Sequence, residues 1–190
     1  MARWEPGARE RLQRAALQLF SDKGFEVTTA AEIAQAAGLT ERTFFRHFAD
    51  KREVLFTGQD DFTRPFLDGI DAAPPEATPI EVVTSAVTGA AGFFPDEKRP
   101  YSRLRQTVIV ANPELQEREL LKMAALASSL AAALRARGVS EPAATLAAES
   151  GVTVFRVSFE LWLADETGSS MDDIEHGVFV ELGALTAAAR

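Results

Sequence analysis

The chain has 190 residues, of which 46% are hydrophobic and 25% charged, a composition that excludes a disordered or fibrous protein and suits one domain or two small ones. It has no Cys, which excludes a disulfide framework, a thiolate nucleophile and a sulfur-ligated metal. The net charge of −8 is uneven: residues 1–56 carry nine Lys or Arg and eight Asp or Glu, and residues 57–190 carry eleven and twenty, so only the N-terminal part is expected to approach a polyanion.

Hydrophobic residues recur at helical spacing along almost the whole chain, which predicts an all-α fold of about nine helices. A three-helix unit is expected over residues 1–50 and a larger helical bundle over residues 51–190. In chain order, the predicted helices cover about 9–23, the stretch from Thr29 to Gly38, and about 40–48, 51–72, 79–93, 101–111, 113–137, 140–166 and 170–189.

The second and third predicted helices form a closely spaced pair. Thr29, followed three residues later by Glu32, gives a capping-box pattern at the start of the second helix, and Thr40 can cap the third. Gly38 separates the pair, and a longer helix precedes it. This layout is typical of a helix-turn-helix, in which the second helix of the pair enters the major groove of DNA.

The third predicted helix has two different faces. Phe44 and Phe48 share one face and are expected to pack, whereas Arg42, Thr43 and Arg46 point roughly the opposite way. Guanidinium groups can bind the O6 and N7 acceptors of guanine, and a Thr can contact a base edge or a thymine methyl. Two Arg four residues apart are usually only a solvated helix face, but the helix-turn-helix setting favours base reading.

Other residues are expected at the rim of this surface. His47, Lys51 and the backbone N–H groups that begin the second and fourth helices are placed to contact phosphates, which orient a protein on DNA without reading its sequence. The predicted DNA-binding set is therefore Thr29, Thr40, Arg42, Thr43, Phe45, Arg46, His47 and Lys51.

Residues from about 9 to 56 resemble the N-terminal DNA-binding region of the TetR-type transcriptional repressors. The resemblance rests on the run FEVTTAAEIAQAAGLTERTFFRHFADKREVL, from Phe25 to Leu55, and on the preceding helix ALQLF with its Gly24-Phe25 turn. It implies an all-helical homodimer with an N-terminal DNA-binding domain. It also implies a C-terminal domain that dimerises and binds a small effector.

One position departs from the family pattern. Phe45 stands where the family usually has Tyr, so the hydroxyl that commonly reaches a phosphate is missing, which leaves an apolar contact or weaker binding. His47 and Lys51, in contrast, lie at positions that usually contact phosphate in the family, and the resemblance extends that role to them.

Aromatic residues of the C-terminal part predict an effector pocket, with a simple hydrophobic core as the alternative. Arg156 beside them favours a pocket, because a buried charge needs a partner, either a ligand group or Glu160 four residues on. The segment from Asn112 to Leu121 and the helix end at Arg135 resemble a branch of the family to which acyl-thioester ligands are ascribed. The predicted pocket residues are Phe93, Tyr101, Leu104, Val108, Phe155, Arg156, Phe159 and Trp162.

Small and aliphatic residues of the last two helices predict a dimer interface. They would let two subunits approach closely, and packing within one chain is the open alternative. The predicted interface residues are Ala147, Gly151, Ile174, Val178, Leu182 and Leu185.

No motif predicts catalysis, a cofactor or a metal site. The chain lacks a Gly-rich phosphate loop and a Gly-x-Ser-x-Gly motif, and it has only two His. It also lacks an N-terminal secretory pattern and a run of about 18 apolar residues, so a cytoplasmic, non-membrane protein is expected. The hypothesis is a ligand-responsive repressor; a dimeric DNA-binding protein without an effector, or a helical enzyme, is the alternative.

Overall fold

The computed structural model describes residues 7–56 and 58–187, and every regular element among them is a helix. This confirms the all-α fold predicted from the sequence. Within these ranges, short 3₁₀ helices occur at Glu53–Leu55, Ala91–Phe93 and Asp96–Lys98. The α-helices of the described residues are α1 (Ala8–Lys23), α2 (Ala30–Ala36), α3 (Glu41–His47), α4 (Gln59–Ala72), α5 (Pro79–Ala90), α6 (Arg99–Val110), α7 (Pro113–Ala136), α8 (Ala143–Ala164) and α9 (Met171–Ala187).

The predicted start of the fourth helix near residue 51 is wrong, because α4 begins at Gln59. The Asp50 side chain does act as a cap, since its Oδ1 accepts a hydrogen bond from the Glu53 N–H at 3.1 Å. The capped segment is the 3₁₀ helix Glu53–Leu55 rather than a long α-helix. Gly58 then adopts a φ of 92°, a left-handed conformation that Gly tolerates best, and α4 starts after it.

Contacts divide the chain into two compact units, each with its own core. The first unit holds the described residues up to Phe56 together with Tyr101–Glu119. The second holds Gly58–Pro100 together with the described residues from Leu120 onward. The first unit thus includes most of α6 and the start of α7, which the sequence prediction assigned to the C-terminal domain.

Aromatic side chains fill the core of the first unit. The rings of Phe20 and Phe25 lie 5.1 Å apart edge to face, and those of Phe44 and Phe48 lie 5.3 Å apart. All four side chains are buried, and the small Ala34 of α2 is buried among the same core residues. Helix α3 is therefore held by its apolar face, which leaves its opposite face available.

Two ion pairs lie within the first unit near the 3₁₀ helix that follows α3. Arg118 donates to both carboxylate oxygens of Glu53, at 2.8 and 3.2 Å. Arg105 donates to the Glu119 carboxylate at 2.7 Å and to the Leu55 carbonyl at 3.1 Å. Because these groups are partly buried, salt screens them less than exposed pairs. They fasten the segment after α3 to α6 and α7.

The second unit contains a close crossing of α4 and α5. Gly69 of α4 is buried, and a Cβ at this position would lie 2.8 Å from the Ala86 Cα and nearer still to the Ser85 carbonyl oxygen. Gly151 of α8 approaches the Val83 side chain too closely for any Cβ. Both glycines are thus needed for helix contact rather than for a turn.

We expect Gly69→Ala to lower the free energy of unfolding by about 1–3 kcal/mol, because the added methyl group would press on backbone atoms that cannot rotate away. Denaturant unfolding followed by circular dichroism measures the change. Gly89→Ala in α5 is the control, since its nearest neighbour would be 3.4 Å from the new Cβ. It should be neutral or stabilising, because Ala favours helix over Gly. Equal stability of the two variants would contradict a close α4–α5 crossing.

Candidate nucleic-acid interface

The start of α2 is fixed by the predicted capping box. The Thr29 Oγ1 accepts a hydrogen bond from the Glu32 N–H at 3.2 Å, and the Glu32 carboxylate accepts one from the Thr29 N–H at 2.9 Å. Lys23 at the end of α1 forms an ion pair with Glu32. The hydrogen bond from Lys23 is the largest cause that lowers the pKa of the Glu32 carboxyl, and the hydrogen bond from the Thr29 N–H is the next. The Thr29 hydroxyl is exposed and already takes part in capping.

The start of α3 is capped in a similar way. Gly38 takes a positive φ of 68° in the turn between the two helices. The Thr40 Oγ1 accepts a hydrogen bond from the Thr43 N–H at 3.2 Å, and the two hydroxyl oxygens lie 3.0 Å apart. Thr43 is half-buried, so its hydroxyl is shared with the cap and is only partly available to a base.

The outer face of α3 is cationic. Phe44 and Phe48 are buried, whereas Arg42 and Arg46 are exposed, and Phe45 is 52% exposed. This matches the predicted division into a packed and a solvent-facing side. Within residues 7–56 and 58–187, neither Arg forms a hydrogen bond or an ion pair. Two guanidinium groups one helical turn apart therefore keep all their donors for an external partner.

His47 lies at the edge of this face. It is half-buried, and its Nε2 is buried without a hydrogen-bond partner in the part of the chain that the structure describes. Burial, together with the positive charges of Arg46 and Arg9, lowers the pKa of the imidazole. A neutral ring can donate one N–H to a phosphate oxygen but adds no positive charge at neutral pH.

Lys51 makes several contacts inside the first unit. Its Nζ donates to the carbonyl oxygens of Phe25, Glu26 and Thr28, at 2.7, 2.9 and 3.3 Å. It also lies 4.3 Å from the centre of the Phe25 ring. These bonds use its three N–H donors, so Lys51 fastens the α1–α2 turn to the segment after α3. Its contact with phosphate stays a prediction.

The predicted pocket residues fall into both compact units. Tyr101, Leu104 and Val108 belong to the first unit, with Val108 in its core. In the second unit, seven rings form a group that we call the aromatic cluster, with neighbouring ring centres 5.2–6.4 Å apart. Its members are Phe62, Phe66, Phe93, Phe94, Phe155, Phe159 and Trp162.

The expectation that Arg156 is a buried charge is wrong, because this side chain faces solvent. Among the described residues of the second unit, the buried Arg is Arg99, which donates to the Asp165 carboxylate at 3.0 Å and the Asp96 carboxylate at 2.7 Å. Its guanidinium carbon also lies 5.0 Å from the Trp162 ring centre. Sequence reasoning missed Arg99, since its partner Asp165 lies 66 residues away along the chain.

The predicted interface residues divide into three groups. Ala147 and Gly151 are buried against the core of their own chain, which corresponds to the intramolecular alternative. Leu185 is 74% exposed. Ile174, Val178 and Leu182 are half-buried and pack against the core of the second unit. The exposed apolar residues of α8 and α9 that sequence reasoning missed are Leu146, Val157, Leu161 and Val180.

Metal ligands and membrane-spanning helices would each indicate a different class of protein. Within the described ranges, no three His, Cys, Asp or Glu side chains cluster as metal ligands would. No helix in these ranges combines the length and apolar character that crossing a membrane requires.

Two sequence profiles match the chain. The profile described as bacterial regulatory proteins of the tetR family matches residues 12–57. A second, described as the MftR C-terminal domain, matches residues 77–185. The first match covers the capped helix pair and the cationic face of α3, and the second covers more than half of the chain.

Individual proteins are similar to parts or all of the chain. TcmR, a transcriptional regulator of Streptomyces glaucescens, is 38% identical over 88 residues, 46% of this chain and 39% of TcmR, so this chain spans about two fifths of that relative. MftR of Mycobacterium tuberculosis is 27% identical over 163 residues, 81% of this chain and 79% of MftR. A solved transcriptional regulator of Pseudomonas aeruginosa PAO1 shares the fold, with a TM-score of 0.68 at 16% identity over 99% of this chain and 95% of that one.

Proposed function

Because this chain belongs to the TetR family of bacterial regulatory proteins, we propose that it is a homodimeric, sequence-specific DNA-binding regulator, and that it represses transcription until a small-molecule effector releases it from its operator. The observation that carries this proposal is the outer face of α3. Arg42 and Arg46 present donors there that no described residue uses, while Phe44 and Phe48 anchor the helix from behind. A bacterial chromosome lies in the cytoplasm, so the proposal places the protein there.

Base contacts and phosphate contacts have different roles in this proposal. Arg42 and Arg46 read bases, with Thr43 and Phe45 beside them for thymine methyl or sugar contacts. His47 and the capped N-terminus of α2 at Thr29 orient the domain on phosphates, and Thr40 holds the start of α3. The acidic remainder of the chain stays away from DNA, because like charges repel.

We assign dimerisation to the exposed apolar face of α8 and α9, with a second copy of this chain as its partner. Val157 and Leu161 of α8 are 41% and 50% exposed, and Val180 of α9 is 60% exposed. A Cβ added at Gly177 or Gly183 of α9 would meet open space, so another helix could approach these positions closely. A dimer is required functionally, because two recognition helices must reach half-sites about 34–36 Å apart.

We expect Leu161→Arg to shift the protein to monomers, because a charge at the centre of an apolar interface is left without a partner. Sedimentation velocity measures the mass, and a gel shift should show weaker operator binding in parallel. Leu120→Arg is the matched control, since Leu120 of α7 is also an exposed Leu. If the Leu161→Arg variant remained dimeric, the assignment of α8 to the interface would be wrong.

The effector is assigned to the second unit. Its aromatic cluster supports a ligand with an apolar body, and the resemblance noted above adds acyl thioesters as one class to test. The close spacing of the rings also favours a second candidate function, a dimeric DNA-binding protein whose C-terminal part serves dimerisation alone.

Selection of bound genomic fragments, followed by affinity measurements at moderate ionic strength, tests DNA recognition. We expect at least about a thousandfold preference for the selected fragment over random DNA. Release of that fragment by a small molecule distinguishes the two candidates, since an effector must bind the DNA-incompetent state more tightly. Equal binding to all fragments would overturn the proposal.

A further inference from the structure

The inward faces of α8 and α9 each carry one buried polar side chain. Ser158 lies on the same face of α8 as Phe155 and Trp162, three residues from the first and four from the second. Glu175 follows the buried Met171 by one turn of α9. Ser158 and Glu175 are both 0% exposed. Because α8 and α9 pack together and only a short loop joins them, the helices run antiparallel, and both polar residues lie within about two turns of that loop.

Both side chains lack a hydrogen-bond partner among the described residues. The Ser158 Oγ and both carboxylate oxygens of Glu175 form no hydrogen bond with residues 7–56 or 58–187. Burial, aided by the negative charge of Asp172, raises the pKa of Glu175 to about 8. The charged residues of α5 and α8, the two α-helices packed against α9, all face solvent and so offer no counter-ion: they are Glu81, Glu149, Arg156 and Glu160.

A buried carboxyl without a partner lowers stability, so its presence points to a ligand that supplies one. The buried residues of the second unit are mostly apolar, and part of the aromatic cluster reaches the surface. Phe93, at the margin of the aromatic cluster, is 36% exposed, and its 3₁₀ helix packs against α9. The cluster already accommodates cations, since the Lys122 Nζ lies 3.6 Å from the centre of the Phe62 ring.

We infer that Glu175 and Ser158 form the polar end of the effector site and that the effector is an amphipathic amine. Its apolar body packs on the aromatic cluster, and its ammonium group donates to the Glu175 carboxylate and the Ser158 Oγ. On binding, the Glu175 proton passes to solvent and the ion pair replaces it. This inference rests on the proposed function, in that it places the effector site in the second unit.

Ligand fluorescence titrations test the inference without DNA. The chain has two Trp, so a Trp4→Phe background leaves Trp162 of the cluster as the only indole reporter. The probes are decylamine, decanol, decanoate and decanoyl-coenzyme A, which share one apolar body and differ in the polar head. We expect decylamine to bind at least tenfold more tightly than each of the others.

Substitution of the carboxyl should remove this preference. Glu175→Gln is expected to weaken decylamine binding at least tenfold and to leave decanol binding almost unchanged. Glu181→Gln, at an exposed position of the same helix, is the matched control and should leave both unchanged. Ser158→Ala should weaken decylamine binding a few-fold and provides a second variant. Circular dichroism checks that each variant is folded.

The inference is overturned if the four probes bind equally, or if Glu175→Gln weakens them all alike. It is also overturned if decanoyl-coenzyme A binds most tightly and independently of Glu175, which would favour the acyl-thioester class. A gel shift separates this result from the wider proposal. Decylamine that binds in the predicted way but leaves the operator complex intact would support the site and contradict its role as an effector site.

Discussion

Arg42→Ala is expected to weaken binding to the cognate operator by about 1–3 kcal/mol, or about 5- to 150-fold, and to relax base preference at one position. Arg42 is exposed on α3 and has no ion-pair partner in the described part of the chain, so its loss removes a base contact while leaving the core behind it intact. Fluorescence anisotropy across operators with single-base changes measures both effects. Arg64→Ala, at an exposed position of α4 in the second unit, is the control with the same change in charge and should bind normally.

Lys51→Ala provides a contrast because Lys51 holds three backbone carbonyls of the first unit. Its removal should lower thermal stability and weaken all operators alike. If Lys51 also contacts a phosphate, the slope of log K against log salt concentration should become shallower by about one unit in the variant. Identical behaviour of the Arg42 and Lys51 variants across operators would contradict the division between base reading and positioning.

Local sequence patterns predicted those parts of the DNA-binding unit that local bonds determine. The Thr29 cap and the two faces of α3 depend on residues three or four apart, and the structure reproduces both. The predicted start of the fourth helix was wrong because Asp50 and Glu53 satisfy the same capping pattern in a 3₁₀ helix. A capping pattern fixes where a helix begins but not how long it continues.

The helical periodicity of the sequence could not predict which single charged side chains are buried. Arg156 and Arg99 both lie among aromatic residues in the sequence, but only Arg99 is buried, because Asp96 and Asp165 converge on it from two segments. Glu175 had a usable signal, since it shares a helix face with Met171 and Val178, which point inward. A carboxyl on an otherwise apolar helix face is therefore the sequence signal that could have indicated the polar end of the proposed effector site.

The unfolding free energy of the wild-type protein is expected to decrease, relative to Glu175→Gln, as pH rises from about 5 to 8. In the folded protein, burial raises the pKa of Glu175 from 4.5 to about 8. Between these values the folded chain keeps a proton that the unfolded chain has released, so rising pH favours unfolding. At about 1.4 kcal/mol per unit of pKa, the full contribution is roughly 5 kcal/mol, and most of it is lost between pH 5 and 8.

Urea unfolding of both proteins at pH 5, 6.5 and 8 measures this difference. Gln keeps the size of the side chain and cannot ionise, so the two curves should lie closest at pH 5 and diverge steadily toward pH 8, with the variant more stable there. Glu181→Gln is again the control, and its stability should follow that of the wild type at every pH. A constant difference between wild type and Glu175→Gln over this range would mean that the folded protein holds Glu175 ionised. A counter-ion or solvent would then have to reach the carboxyl between α8 and α9.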